Sequence, residues 1–273
     1  MVRIPNNELI IIGGAEDKKG NKTVLKEVCS KIDKEKDLLL IVTVASEVPK
    51  LIGRDYLDVF KSLEIKNVKI LDIRNRIESN LKKNIELIKR AKLIFFTGGD
   101  QLRITSILGG TEISEAIMNS TGKIIVGTSA GASIMSETMI LGGEDEESPK
   151  KNTINMSPGL GFLKGVVIDQ HFAQRGRIGR LLTAVSEHPG ILGIGIDENT
   201  GIIVNENRIK VIGDGGVYIL DGDEINHTNI SEQDMDKVLS IFNIKLHVLI
   251  SGNSFNLKSK IPFKEEEVKN ENN

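Results

Sequence analysis

The chain has no tryptophan, two tyrosines and one cysteine among its 273 residues. So few flat rings argue against the stacking platforms on which single-stranded nucleic acid is bound. The lone Cys29 excludes an intramolecular disulfide and a cysteine-based metal cage, and it fits a reducing compartment. Long apolar runs are missing too: stretches such as Leu38–Val42 are far too short to span a bilayer. Nor does either sign of charge dominate. With 36 Lys+Arg against 38 Asp+Glu the formal net charge is −2, so no global field draws the chain to a polyanion or a membrane. No N-terminal stretch joins basic residues, an apolar core and a small-residue cleavage site. The expectation is a soluble, cytoplasmic protein with neither nucleic acid nor membrane as partner.

What is present is an alternation of short apolar runs with amphipathic stretches. Leu9–Ile12, Leu38–Val44, Val68–Ile73, Leu93–Thr97 and Ile124–Gly127 read as strands, and helices are expected over Leu51–Leu63 and around Leu81, Ile85, Leu87 and Ile88. Runs apolar on both faces with helices between them predict an α/β fold, a mostly parallel sheet flanked by helices as a three-layer sandwich. Chemistry in such sheets sits at the carboxyl edge of the strands. Gly13-Gly14, Ala45-Ser46, Gly98-Gly99 and Ser129 would all lie there.

The second half has a different texture. Val166–Ile168 reads as a strand, and Ile178, Leu181, Leu182 and Val185 make a helical stripe that stops at Pro189-Gly190. Four short strands follow, Leu192–Ile196, Gly201–Val204, Ile209–Ile212 and Val217–Leu220, as hairpins or edge strands added to the sheet. Glu232–Phe242 is expected to be a helix and Leu246–Ile250 a last strand. With no repeat and no linker, residues 1–263 are expected to form a single domain and 264–273 a charged, disordered tail.

Gly127-Thr128-Ser129-Ala130-Gly131 is a G-x-S-x-G pentapeptide directly after a strand. A nucleophile on a tight strand-to-helix turn needs such small neighbours, because a Cβ would clash where the chain bends sharply. A serine hydroxyl also needs a base. Of the four histidines, His188 lies at a helix end, His227 in a polar turn and His247 in a late strand. His171, just beyond the strand Val166–Ile168, is the best candidate. The base in turn needs an acid to orient it, and Asp169, Asp197 and Glu198 are all placed to serve. Main-chain N–H groups of Ala130 and of the Gly98-Gly99 turn, Gly99 in particular, are the expected oxyanion donors. Arg175, Arg177 and Arg180 suggest a forked grip on substrate carboxylates, with a solvated helix start as the plainer alternative. The acidic run Glu144–Glu147 reads as a solvated loop, and Gly13-Gly14-Ala15-Glu16-Asp17 lacks the spacing of a nucleotide loop. No metal and no organic cofactor is called for.

Taken together, these motifs resemble the serine peptidase family that holds the cyanophycinases and the aspartyl dipeptidases. The resemblance rests on Gly13-Gly14-Ala15-Glu16-Asp17, Phe96-Thr97-Gly98-Gly99-Asp100-Gln101, Gly127–Ala132, Asp169-Gln170-His171-Phe172 with Arg175, Arg177 and Arg180, Asp197-Glu198-Asn199-Thr200 and Ser254-Phe255-Asn256-Leu257. It covers nearly the whole chain; the acidic loop and the tail lie outside it. It implies a glutamine-amidotransferase-like (flavodoxin-like) α/β fold and a triad in the order Ser129, His171, Glu198. It also implies substrate contacts from Gln101, Asp169, Gln170, Arg175, Arg177 and Arg180. The implied substrate is cyanophycin, a poly-aspartate chain with arginine on each side chain, cut in its main chain to β-Asp-Arg dipeptides by a homodimer. An aspartyl dipeptidase acting on small N-terminal-Asp peptides is the alternative within the family. A catalytically silent peptide binder is the alternative outside enzymes.

Overall fold

A computed structural model describes residues 7–143, 148–151, 154–235 and 237–265. The acidic run 144–147 and the tail from 266 onward, of which a solvated loop and a disordered end are expected, lie outside the described residues.

The first half builds parallel strands joined by helices, in the order β1 (Glu8–Ile12), α1 (Thr23–Ser30), β2 (Leu39–Val42), α2 (Pro49–Ser62), β3 (Val68–Leu71), α3 (Lys82–Arg90), β4 (Leu93–Phe96), α4 (Gln101–Leu108), α5 (Glu112–Met118) and β5 (Ile124–Thr128). Every residue of β2, β4 and β5 is buried, as expected of strands covered on both faces. The helix starts are signalled locally. Pro49 opens α2, and the Asp100 side chain caps α4 by accepting from the Leu102 and Arg103 N–H groups. A short helix α6 (Ala130–Ser133) leaves β5, followed by a hairpin of β6 (Thr138–Gly143) and β7 (Ile154–Pro158).

The second half runs β8 (Val166–Gln170), α7 (Ile178–Glu187), β9 (Leu192–Ile196), β10 (Thr200–Asn205), β11 (Arg208–Gly213), β12 (Val217–Asp221), β13 (His227–Thr228), β14 (Ile241–Phe242), β15 (Lys245–Leu249), β16 (Asn253–Asn256) and β17 (Ile261–Lys264). Among the described residues the main sheet has nine strands in the order β17-β16-β11-β10-β1-β5-β4-β2-β3. It is parallel from β1 to β3 and antiparallel from β1 outward through β10, β11, β16 and β17. The α/β class expected from the sequence is present, but the later strands do not all join one sheet. β9 and β12, with β8 and β15, form a second sheet of four strands, β15-β12-β9-β8.

Alternation along β1 explains how the two sheets stack. Ile10 and Ile12 face α1 and α2 with Leu25, Val28 and Phe60. Leu9 and Ile11 face the other way, into a core shared with Ile168, Ile194 and Ile219 of the smaller sheet. The far side of that sheet is covered by α7 through Leu181 and Val185. Fully burying each such aliphatic side chain is worth about 1.5–3 kcal/mol, so the shared core ties the sheets together.

The helix expected over Glu232–Phe242 is not formed. Met235, Val238 and Phe242 are exposed and Leu239 is buried, so the apolar residues make no common buried face. The backbone bonds across to another segment instead: the Leu239 N–H donates to Pro149 O and the Lys151 N–H to Lys237 O. Among the described residues, no helix is long and apolar enough to cross a membrane.

Candidate active site

The site lies where four strands stop together: β1 at Gly13-Gly14, β5 at Ser129, β8 at His171 and β9 at Asp197-Glu198. Three of these chain segments turn through left-handed φ values, 54° at Ser129, 49° at His171 and 50° at Asn199. Such turns are strained in non-glycine residues and persist where neighbours over-determine them. Here the neighbour is one loop. Ser129 donates its N–H to Ile12 O at 3.1 Å, His171 to Gly13 O at 2.8 Å and Asn199 to Gly14 O at 2.9 Å. Successive carbonyls at the end of β1 thus hold the three turns that carry Ser129, His171 and, one residue ahead of Asn199, Glu198.

The side chains are aimed by those turns. Ser129 Oγ lies 3.0 Å from His171 Nε2, and His171 Nδ1 lies 2.6 Å from Glu198 Oε1. A carboxylate offers only acceptors, so Nδ1 carries the ring proton and Nε2 is left to accept from the serine hydroxyl. The imidazole is 12 % exposed and the Glu198 carboxylate 36 % exposed, which leaves the line open to solvent at its acidic end. Gln174 Oε1 accepts the Glu198 N–H at 3.0 Å and fixes the acid's backbone.

Of the three acids left open by the sequence, the other two have different partners. Asp197 accepts from the Ala173 and Gly216 N–H groups, both at 2.9 Å, and so braces the turn after His171. Asp169 is 1 % exposed and faces two buried guanidinium groups. Arg180 Nε donates to its Oδ2 at 2.6 Å, Arg180 Nη2 donates to its Oδ1, and Arg177 Nη1 reaches Oδ1 at 3.5 Å. Arg177 also donates to Gln170 O at 2.6 Å and to Gln170 Oε1 at 3.3 Å. The structure therefore brings Asp169, Gln170, Arg177 and Arg180 together inside the protein, directly behind His171, and leaves Arg175 on the surface.

Neither Gly99 nor Ala130 has a protein acceptor for its N–H among the described residues, as a donor kept for a ligand would require. A Cβ on the adjoining Gly98 would lie 3.2 Å from Ser129 Cβ, so this turn borders the Ser129 turn closely. The glycines at either end of the pentapeptide meet each other, since a Cβ on Gly127 would stand 2.0 Å from Gly131 O. Gln101 donates its side-chain amide to Ile140 O at 3.1 Å and Leu141 O at 2.9 Å, tying β6 to the rim.

Sequence reasoning missed what Gly13-Gly14 does. Gly14 has φ 104°, and a Cβ there would stand 2.4 Å from His171 Cε1, so the imidazole packs on bare backbone. The signal was available in the paired glycines at a strand end, although the partner they face lies far away in sequence.

The chain is similar to known proteins along most of its length. The model of peptidase family S51 matches residues 9–212. A cyanophycinase of Geminocystis herdmanii is 38 % identical over 260 residues, 94 % of this chain and 96 % of its own. A cyanophycinase of Trichormus variabilis is 37 % identical over 91 % of this chain and 85 % of its own. Among solved structures, a peptidase from an acI-B1 actinobacterium superposes with a TM-score of 0.64 at 19 % identity, covering 92 % of this chain and 96 % of its own. A putative peptidase E of Listeria monocytogenes gives 0.53 at 16 % identity, over 77 % of this chain and 99 % of its own. These two likenesses concern the fold.

Proposed function

The chain belongs to peptidase family S51, and from that premise we propose that it is a serine peptidase that degrades cyanophycin, with Ser129 as nucleophile, His171 as base and Glu198 as the acid that orients the base. The observation that carries the assignment is the line of two contacts, 3.0 Å from Ser129 Oγ to His171 Nε2 and 2.6 Å from Nδ1 to Glu198. The sequence likeness to cyanophycinases over more than nine-tenths of the chain supports the substrate.

In this reading Ser129 Oγ attacks a main-chain carbonyl carbon of the poly-aspartate while His171 Nε2 takes its proton. Glu198 steadies the imidazolium that results. The N–H groups of Ala130 and Gly99 receive the developing oxyanion; each such donor is worth about 10²–10³ in rate. His171 then returns the proton to the leaving amine, and a water activated by the same ring releases the acyl group from Ser129. The exposed Arg175 contacts substrate, together with Gln101 at the rim, while the buried Gln170 accepts from Arg177. Arg177 and Arg180 shape the wall behind the base by holding Asp169. We place the enzyme in the cytoplasm as a homodimer. The single cysteine supports the compartment. Leu246, Val248 and Ile250, exposed along and just beyond the edge strand β15, support a face covered by a second copy.

The test is incubation with insoluble cyanophycin, with mass analysis of the soluble products. The wild type is expected to release β-Asp-Arg dipeptides, and Ser129→Ala none. Free arginine as the main product would overturn main-chain cleavage. Turnover of small N-terminal-Asp peptides without attack on cyanophycin would favour the dipeptidase.

A further inference from the structure

One buried acid near the site has no part in the triad. Glu16 is 4 % exposed, yet it meets no cation among the described residues. Thr128 Oγ1 donates to its Oε2 at 2.6 Å, and the Tyr56 hydroxyl donates to its Oε1. Burying a carboxylate against neutral donors alone is costly. What the carboxylate does is connect. Glu16 sits on the loop whose carbonyls hold the Ser129, His171 and Asn199 turns. Thr128 is the residue that enters the strained turn, where Ser129 takes φ 54° and ψ −114°. Tyr56 stands on α2, packed on Phe95 at 4.8 Å between ring centroids.

We infer that Glu16 is a positioning residue for the hydrolysis: through Thr128 it clamps the entry of the nucleophile turn to the loop that holds the base and the acid. It touches no substrate. Its effect reaches the reaction through Thr128 and hence through the direction of Ser129 Oγ. Burial first, and then the Glu16 charge, raises the pKa of Tyr56 well above the ordinary tyrosine value, so the phenol remains a donor. The clamp spans 112 residues between Glu16 and Thr128. A strained turn needs such over-determination from outside its own segment.

This inference rests on the serine peptidase reading, and the test separates the two. A fluorophosphonate forms a bond from Ser129 Oγ to phosphorus with loss of fluoride, and its saturation kinetics give kinact and KI separately. The full chain is compared with Thr128→Val, Thr128→Ser, Glu16→Leu and the Glu16→Leu/Thr128→Val pair, each below its melting temperature. Thr128→Val, which keeps the branched shape, is expected to lower kinact about 10-fold or more with KI unchanged, since even 1 Å of misplacement can cost about 10². Thr128→Ser, which keeps the hydroxyl, is expected to restore it. The double variant is expected to be no slower than Glu16→Leu alone, because both remove one link. Should Glu16→Leu fail to fold, the valine and serine pair decides. Equal kinact in Thr128→Val and wild type, no rescue by serine, or losses that multiply would each overturn the clamp while leaving the peptidase reading intact. No labelling of wild-type Ser129 would defeat both.

Discussion

All three site turns bend through left-handed φ, but close-packed glycines hold the bend that leaves the nine-stranded sheet, whereas polar side-chain contacts hold the turns that leave the four-stranded sheet. Ser129 stands where β5 turns through a strained conformation, between glycines packed so closely that a Cβ on Gly127 would meet Gly131 O at 2.0 Å. His171 and Glu198 leave β8 and β9 and depend on carboxylates and amides: Asp197 on the Ala173 N–H, Gln174 on the Glu198 N–H, Asp169 on two arginines. The first arrangement is vulnerable to added volume and the second to lost charge. They meet at the end of β1, where the carbonyls of Ile12, Gly13 and Gly14 reach into both. The line from Ser129 through His171 to Glu198 is therefore a seam between sheets, and its geometry depends on that loop more than on either sheet alone.

Removing charge from the four-stranded side without changing volume is the sharpest way to separate the two. Glu198→Gln keeps the shape, but its amide can offer an N–H to His171 Nδ1 and stabilise the tautomer whose Nε2 cannot accept from Ser129. A loss of about 10⁴ in kcat is expected, with the melting temperature nearly unchanged. A loss below tenfold would mean that the nine-stranded side orients the base unaided. Adding volume at the seam is the complementary experiment. Gly14→Ala would place a Cβ 2.4 Å from the His171 ring at a φ of 104°. The ring must then shift, and kcat is expected to fall about 10²-fold. Wild-type kinetics in Gly14→Ala would show that the loop yields, and the seam would not be rigid.

Legibility in the sequence divides along the same line. The strands β1, β2, β4 and β5 were legible because burial on both faces leaves a continuous apolar run. The strands of the smaller sheet were legible as strands, but not as a second sheet: the pattern of Leu192–Ile196 states which residues are buried and is silent on what buries them. Ser129 was legible through the small residues its turn demands. Helices α1, α4 and α5 leave no clear period in the sequence, and the helix expected over Glu232–Phe242 does not form, because short stretches of mixed residues fit several backbones until a tertiary partner is present. From the sequence, Arg177 and Arg180 suggest a grip on substrate carboxylates or a solvated helix start. Their spacing allowed that as readily as the internal carboxylate Asp169 that the fold supplies. Glu16 and Thr128 lie 112 residues apart, and no local pattern links them.

The smallest expected effect concerns the outer end of the seam. Asp17, the residue after Glu16, donates its N–H to Asn199 Oδ1 at 2.9 Å, so it touches the four-stranded side. Its carboxylate accepts from the N–H groups of Lys22, Gly20 and Lys19, which lower its pKa from 3.8 to about 2. A carboxyl depressed in the folded state stabilises above its unfolded value and loses that contribution as pH falls through the folded one. The group is partly exposed, so the contribution is screened and small. Asp17→Asn is expected to melt slightly below wild type at neutral pH, with the gap closing as pH falls from about 4 to about 2. Its kcat should stay within twofold, because the carbonyls of residues 12–14 still hold all three turns. A gap that persists unchanged to pH 2 would assign the difference to shape and not to charge. A fall in kcat comparable to that of Gly14→Ala would extend the rigid seam outward to Asp17, and the loop beyond Gly14 would then belong to the catalytic frame.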